Sequence, residues 1–320
     1  MRRREILGWG MVAGMAQWSA FAAAPWPTKP VTLVVPSSAG GGTDSFARSL
    51  GLEMAEIFKQ PVIVSNKPGA SGNVGAEFVA RAAADGYTLL LTASAAVAIG
   101  PALYPKATFD VTRDLMPIAR GVSSPYLLLA HPSLNVSTVA ELVTRARRAP
   151  GELAFGSAGT GTVPYLGVKM LEEAADVRFL HISYKGLAPA FQDVISGQLS
   201  FILADVASAG AHRERLKVLA CSEPVRGFEK VPTFKDAGFA SVKPANYFSL
   251  LAPTGTPSSV VNQLSHSVNT AMRIPALATR LESIGLVPVF DSPDEFAQTL
   301  AQERTAWAAF IRRNGIKPGD

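Results

Sequence analysis

A strand that empties into a glycine loop and continues at once as a helix is written twice into this chain, and few folds accommodate that device. The first copy runs from Val31 to Leu50. Val31 to Val35 are β-branched or apolar and read as a buried strand. Ser37, Ser38, Ala39, Gly40, Gly41 and Gly42 form a small-residue loop, and Thr43 or Asp44 stands where a helix cap belongs. Phe46, Leu50, Met54 and Phe58 then recur every four residues, which describes one buried helix face. About 120 residues later the pattern returns, with Leu153 to Phe155 as strand, Gly156 to Thr162 as loop and Val163 to Ala174 as helix. Each copy can turn unpaired backbone N–H groups and the positive end of a helix toward an anion. Neither is a Walker loop, since no Gly-Lys-Ser/Thr follows, and neither has the G-x-G-x-x-G spacing of a dinucleotide site. On the loop alone, a tight connection that binds nothing fits as well.

The segments between repeat the alternation. Val62 to Val64 is a second strand, and Asn66 to Asn73 a loop feeding a helix with Val74, Phe78 and Val79 on its inner side. Tyr87 to Leu91 is a third strand, ending at Thr92, Ala93 and Ser94. Strands and helices at this spacing predict an α/β fold with mainly parallel sheets flanked by helices. Ile118 to Leu129 reads as strand that leaves a first domain, and Thr138 to Glu141 has capping-box spacing for a helix ending near Arg148. Phe179 to Ser183, Leu199 to Ala204 and Leu216 to Ala220 are further strands, with a helix over Pro189 to Ile195 stopped by Gly197. Phe248 to Ala252 returns as strand, and Thr256-Pro257 is expected to cap and start a helix burying Val260, Leu264, Val268 and Met272. Ser292-Pro293-Asp294-Glu295 starts a final helix carrying Phe296, Leu300 and Trp307. If that terminal part packs back on the beginning, residues 25–122 plus 249–320 form domain 1 and 123–248 an inserted domain 2. Two crossings between domains make a hinge.

At 320 residues and 48% hydrophobic content, two sizeable cores can be buried. Arg2, Arg3 and Arg4 precede an apolar stretch from Ile6 to Phe21, with Ala20-Phe21-Ala22 at cleavage spacing. Residues 1–24 are therefore expected to be a cleaved export signal, in which Arg3-Arg4-Glu5-Ile6-Leu7 resembles a twin-arginine motif, and the mature protein to work in the periplasm. The net charge of +5 falls without that leader and is scattered, which argues against nucleic acid as a partner. Cys221 is the only cysteine and reads as a small buried residue at a strand end.

Catalytic chemistry finds little support. His131, His181, His212 and His266 show no metal-ligand spacing, so neither metal nor cofactor is expected. Ser157 lies between glycines, but Phe155 occupies the position that a nucleophile elbow gives to glycine. Asp110, Asp114 and Asp205 show no pairing. Lys185, in Tyr184-Lys185-Gly186 at a strand end, reads either as a charge for an anion or as an ordinary surface lysine. Asp205 reads either as a ligand contact or as the cap of the helix from Val206.

Several blocks, in order over nearly the whole chain from Trp26, resemble the Bug family of periplasmic solute receptors, the binding components of tripartite tricarboxylate transporters. They are Val34-Val35-Pro36 with Gly40-Gly41-Gly42-Thr43-Asp44, then Asn66-Lys67-Pro68-Gly69-Ala70-Ser71-Gly72-Asn73, and Asp85-Gly86-Tyr87-Thr88-Leu89-Leu90. Phe155-Gly156-Ser157-Ala158-Gly159 and Tyr184-Lys185-Gly186 before Pro189-Ala190 follow, with Pro101 to Pro105 and Leu251 to Pro257 in support. The resemblance implies a two-domain Venus-flytrap fold that closes on a small organic carboxylate and has no enzymatic activity. It places ligand contacts on Ser38, Gly41, Gly42, Thr43 and Asp44 in one domain, with Ser94 at the end of the third strand. Ser157, Ala158, Gly159, Thr162 and Asp205 serve from the other. The implied partners are integral-membrane transporter subunits, or alternatively a sensor kinase, with the receptor itself a monomer. A secreted hydrolase using Ser157 or Asp205 is the reading from another class.

The chain also departs from the family pattern. Thr160 and Tyr165 stand where an Asn and a His are frequent, Ala95-Ala96-Val97 where a polar run is frequent, and Tyr247 where a Trp is common. The apolar run leads us to expect a ligand with a less polar distal group, such as an aromatic or aliphatic monocarboxylate.

Overall fold

The computed structural model describes residues 26–69, 72–104, 110–210 and 212–318. The expected export segment lies outside them, as do Ala70 and Ser71 of the second loop and Pro105 of the later proline run. The first strand, β1 (Val31–Val35), leads through the glycine loop into α1 (Gly42–Phe58). Then come β2 (Val62–Asn66), α2 (Asn73–Ala80) and β3 (Thr88–Ala93). β1 lies between β2 and β3 and is parallel to both. Its alternation sends Val31, Leu33 and Val35 to the cluster that holds Phe46, Leu50, Met54 and Phe58, and Val34 to the opposite face. Burying each such side chain contributes about 1.5–3 kcal/mol, so the every-fourth-residue stripe is sufficient to fix α1 against the sheet.

Two local expectations need correction here. The cap of α1 is neither Thr43 nor Asp44 but Gly41, which makes no side-chain capping bond. Asp44 sits in the first turn and its carboxylate reaches back to the Gly40 N–H at 2.9 Å, so the helix begins before it. In α2, Val74 and Phe78 are about half exposed, and the buried face is Gly75, Ala76 and Val79. The close approach of Pro36 explains this: a Cβ on Gly75 would lie 2.8 Å from the Pro36 Cβ.

After β3 the chain makes a π-helical turn over Ala95–Ile99, then the short α3 (Gly100–Leu103) and α4 (Val111–Asp114). The expected single strand region becomes two, β4 (Leu115–Ser123) and β5 (Tyr126–Ala130), in different sheets. The second sheet is built from β5 with β6 (Ala154–Ser157), β7 (Leu180–Ser183), β8 (Phe201–Asp205) and β9 (Lys217–Cys221). It is packed by α5 (Val139–Arg148), α6 (Val163–Ala175), α7 (Leu187–Ser196) and the short α8 (Val206–Gly210). The chain rejoins the first sheet at β10 (Tyr247–Pro253), followed by α9 (Ser258–Met272), α10 (Pro275–Ser283), β11 (Val287–Pro288) and α11 (Pro293–Arg313).

The orders are β11-β4-β10-β3-β1-β2 and β7-β6-β8-β5-β9. Both sheets are mixed. β6 is parallel to β7 and β8, as β1 is to β2 and β3, but β10 runs antiparallel to β3 and β5 antiparallel to β8. The crossings dictate this. β1, β3, β6 and β8 end at the junction of the two lobes, whereas β5 and β10 begin there and must run the other way. Cys221 is buried at the end of β9.

The helix starts divide into two kinds. Thr138 caps α5 by accepting from Glu141 N at 3.1 Å, and Ser292 with Glu295 forms a full capping box on α11. At α9, in contrast to the expected Thr256-Pro257 start, Pro257 is itself the cap, and the Thr256 hydroxyl donates to the Pro253 carbonyl. α11 buries Phe296, Leu300 and Trp307, backs the first sheet at β4, and at its far end reaches the second lobe. One apolar cluster accordingly runs from Val34 and Leu90 through Val97 and Leu103 to Leu128 and Leu203.

Candidate functional site

The two glycine loops stand at the carboxyl ends of β1 and β6, where open α/β sheets place their ligands. In the first loop, Ser38, Gly41 and Gly42 are exposed and Thr43 partly so. Asp44 is buried, and its carboxylate is fully engaged inside the protein. It accepts from Gly40 N at 2.9 Å, Arg48 Nε at 3.0 Å and Asn66 Nδ2 at 2.9 Å. Asn66 also donates to the Ser37 carbonyl at 3.1 Å, tying the end of β2 to the loop. The Arg48 bond above all, with the Gly40 and Asn66 bonds, outweighs burial and holds the Asp44 pKa down at about 2. Asp44 thus shapes the loop and presents no carboxylate to a bound anion.

In the second loop Ser157 plays the corresponding part without a charge. It is wholly buried; its Oγ shares a 2.8 Å hydrogen bond with His181 Nε2 and accepts from Gly159 N at 3.1 Å. Burial, then the nearby Lys169, pushes the His181 pKa below its ordinary value, which favours the neutral ring. Thr162 donates to the Gly159 carbonyl at 2.6 Å, which closes the turn and leaves the α6 start without a side-chain cap. Tyr165 is buried, its ring 4.7 Å from that of His181.

Between the loops lie two adjoining chambers of about 390 Å³ each. One is lined by Ser38 and Thr43 with Pro36, Pro68, Gly72 and Thr92; the other by Ala158, Gly159, Thr160, Gly161 and Thr162 with Asn73 and Tyr104. Ala95 and Ala96 line both, so the chambers are one crevice across the lobes. Among the described residues that line it none is charged. The starts of α1, α2 and α6 all stand at its walls, and none has a side-chain cap. Backbone N–H groups at helix starts of this kind are suited to an anion. Ser37 adds a buried hydroxyl with no hydrogen-bond partner among the described residues.

The remaining sequence candidates gather elsewhere. Ser94 donates to Asn246 Oδ1 at 2.9 Å, and the Tyr126 hydroxyl bonds the same Asn246 side chain. Burial, then the neighbouring Asp205, raises the Tyr126 pKa. Asp205 accepts from Ser208 N and Oγ at 2.9 and 2.8 Å, capping the turn after β8. This cluster marks the crossing between the sheets. Lys185 is exposed at the start of α7, and Tyr247 is buried with its hydroxyl donating to Glu303 Oε2 at 2.6 Å. Thr160, Ala95 and Ala96, three of the positions where the chain departs from the family pattern, do line the crevice.

Sequence reasoning did not single out Asn73, Leu103, Tyr104 or Ser183 as lining residues. For Asn73 a signal was present, because a Gly-Asn pair opens α2 much as the glycines open α1. Leu103 and Tyr104 carried none beyond the run from Pro101 to Pro105 that supports the resemblance, because the π-helical turn before them has no simple periodicity, although such turns concentrate at functional sites.

Comparison with known proteins gives consistent matches. The model of the tripartite tricarboxylate transporter family receptor (TctC) matches residues 46–316. Protein BugT of Bordetella pertussis is 30% identical over 300 residues, which cover 91% of this chain and 91% of BugT. The solved structure of R. palustris Rpa4515 with adipate superposes with a TM-score of 0.80 at 30% identity, covering 92% of this chain and 99% of that one. MatC (Rpa3494) from Rhodopseudomonas palustris with bound malate gives 0.74 at 29% identity, covering 89% and 99%.

Proposed function

The chain belongs to the tripartite tricarboxylate transporter receptor family, and from that premise we propose that it is a periplasmic receptor that closes on a carboxylate-bearing solute and delivers it to a membrane transporter. The observation that carries the proposal is the uncharged crevice walled by three helix starts without side-chain caps. Micromolar affinity requires about 8 kcal/mol. One helix start supplies only about 0.3–1 kcal/mol, and up to ~2 where it is partly buried. Each charge-assisted hydrogen bond adds roughly 1.5–3 kcal/mol before ordering costs. A single loop is therefore a weak site, and donors from both lobes must engage together. Affinity then depends on closure, and the closed form is what a membrane partner reads.

In this reading Ser38, Gly41, Gly42, Thr43 and Ala158 hold the carboxylate, while Asp44, Ser157, Gly159 and Thr162, whose donors are bonded within the protein, hold the loops. The alanines and prolines of the shared wall suit an apolar ligand body. Adipate and malate, held by the two R. palustris neighbours, are the first ligands to try. The alternative of a Ser157 hydrolase has one attraction, the Ser157–His181 hydrogen bond, but that serine has no exposed surface from which to attack a substrate.

The test is calorimetric titration with adipate, malate, citrate and an aromatic monocarboxylate. At least one should bind at micromolar strength to the parent protein and fail to bind Ala96→Phe, whose ring would fill the shared wall, with the melting temperature preserved. Parental binding by Ala96→Phe would place the ligand elsewhere and overturn the proposal.

A further inference from the structure

The crevice wall at Ala95 and Ala96 belongs to the π-helical turn, and the last helix packs against that turn and against α3. Pro101 stands four residues after Val97, where an α-helix would offer an N–H to the Val97 carbonyl, and a proline has none. Arg304 of α11 serves that carbonyl instead, its Nε donating at 2.8 Å. Val97 is fully buried and Arg304 lines neither chamber, so the guanidinium stands behind the wall. A neutral donor would have satisfied the carbonyl; arginine brings a full charge as well. Among the described residues no carboxylate forms an ion pair with it. Asp110, whose charge acts on it, is occupied in capping α4 by accepting from Thr112 N at 2.8 Å. Glu303, its neighbour in the chain, accepts from the Tyr247 hydroxyl at 2.6 Å. Arg304 Nη2 is buried without a hydrogen-bond partner among the described residues. Burial pulls the Arg304 pKa below its ordinary value, yet an arginine stays charged. A half-buried cation left unpaired costs folding energy, so the fold alone does not account for it.

We propose that Arg304 is the counter-charge of the bound carboxylate, acting through the crevice wall: a positioning residue that holds the π-helical turn by its Val97 bond and sets a fixed positive charge behind Ala95 and Ala96. Successive Cα atoms are about 3.8 Å apart, so a group bonded to the Val97 carbonyl stands within about 10 Å of the Ala96 wall. Protein fills that interval, and salt screens such a charge less than one at the surface. Two features that are otherwise unrelated, a crevice without charged lining and an arginine without a carboxylate, become one arrangement. The carboxylate keeps backbone N–H groups as its direct partners and receives its charge compensation from the second layer. The inference rests on the function proposed above, because only an anionic ligand answers to the charge.

Two variants divide the roles of the residue. In Arg304→Gln the amide nitrogen takes the place of Nε, so the bond to Val97 is kept while the charge goes. Arg304→Lys keeps the charge and loses the donor at that place. Parent and variants are titrated calorimetrically with adipate, malate, citrate and benzoate at low and high salt, and melted without ligand. Whichever of the four binds the parent should bind Arg304→Gln about tenfold more weakly, the size expected of one charge at about 10 Å across an effective dielectric of ~20. Its affinity should also depend on salt less steeply than the parent's. Arg304→Lys should recover most of the affinity. Without ligand, Arg304→Gln should melt at or above the parent, since an unpaired charge has been removed. Parental affinity in Arg304→Gln, an equal loss in both variants, or a lower melting temperature of Arg304→Gln would overturn the proposal and leave the receptor reading intact. No binding of any of the four by the parent would sink the receptor reading, and this proposal with it.

Discussion

In the first glycine loop a buried carboxylate accepts hydrogen bonds from three groups, one of them a cation; in the second a buried hydroxyl and a neutral imidazole do the bracing. Both arrangements leave the helix start that follows without a side-chain cap. At α5 and α11, away from the crevice, Thr138 and Ser292 occupy that place. An uncapped start is not peculiar to these loops, since α7, α9 and α10 lack a side-chain cap as well; what differs is that one loop is braced from beneath by a charged carboxylate and the other by a neutral pair.

The comparison breaks most visibly at Asp44. Asp44→Ala leaves the Gly40 amide and the Asn66 side chain without their shared acceptor. It should cost about 2–3 kcal/mol, discounted for the half-exposed Arg48, and at least tenfold in ligand affinity. Denaturant titration and calorimetry measure the two. Ser157→Ala should cost less, about 1–2 kcal/mol, because only neutral bonds are lost. If the two variants cost the same, the distinction between charged and neutral bracing is empty.

Acidification separates the loops in another way. The Asp44 pKa is depressed, so its contribution is complete above its unfolded value near ~4 and is lost only as pH falls toward about 2. The His181 pKa is lowered too, but for a histidine this means that the unfolded chain takes up the proton first. Stability tied to His181 therefore declines as pH drops below its unfolded value near ~6.5. Between pH 7 and 5 the protection factor of the Gly159 amide, bonded to Ser157, should fall while that of the Gly40 amide, bonded to Asp44, stays level. His181→Gln should abolish the change.

The smallest effect belongs to the helix starts away from the crevice. Thr138→Ala should lower stability by about 1 kcal/mol and leave ligand affinity within error, as judged by the same titrations. A loss of affinity there would mean that α5 is coupled to the site.

Much of this was legible from residue types. The stripe Phe46, Leu50, Met54 and Phe58 is buried as its spacing requires, and Ser292 with Glu295 forms the reciprocal cap that their spacing announces. Val74 and Phe78 misled, because the apolar side of α2 is set by the nearness of Pro36 and not by hydrophobicity. The direction of a carboxylate is equally hidden. Nothing in Gly-Thr-Asp says that Asp44 turns back to Gly40 and across to Asn66, 22 residues away in the chain.

The sequence by itself determined the local devices: strands ending in glycine loops, helices beginning with unpaired amides, and the buried faces that pin both to a sheet. These follow from propensity and period, which act over a few residues. Only the tertiary structure decided that the loops of two lobes share a crevice through Ala95 and Ala96, that Asp44 and Ser157 face inward, and that the chain end returns to Thr160. Those contacts join residues far apart in the chain, and their geometry depends on how whole sheets and helices come to rest on one another.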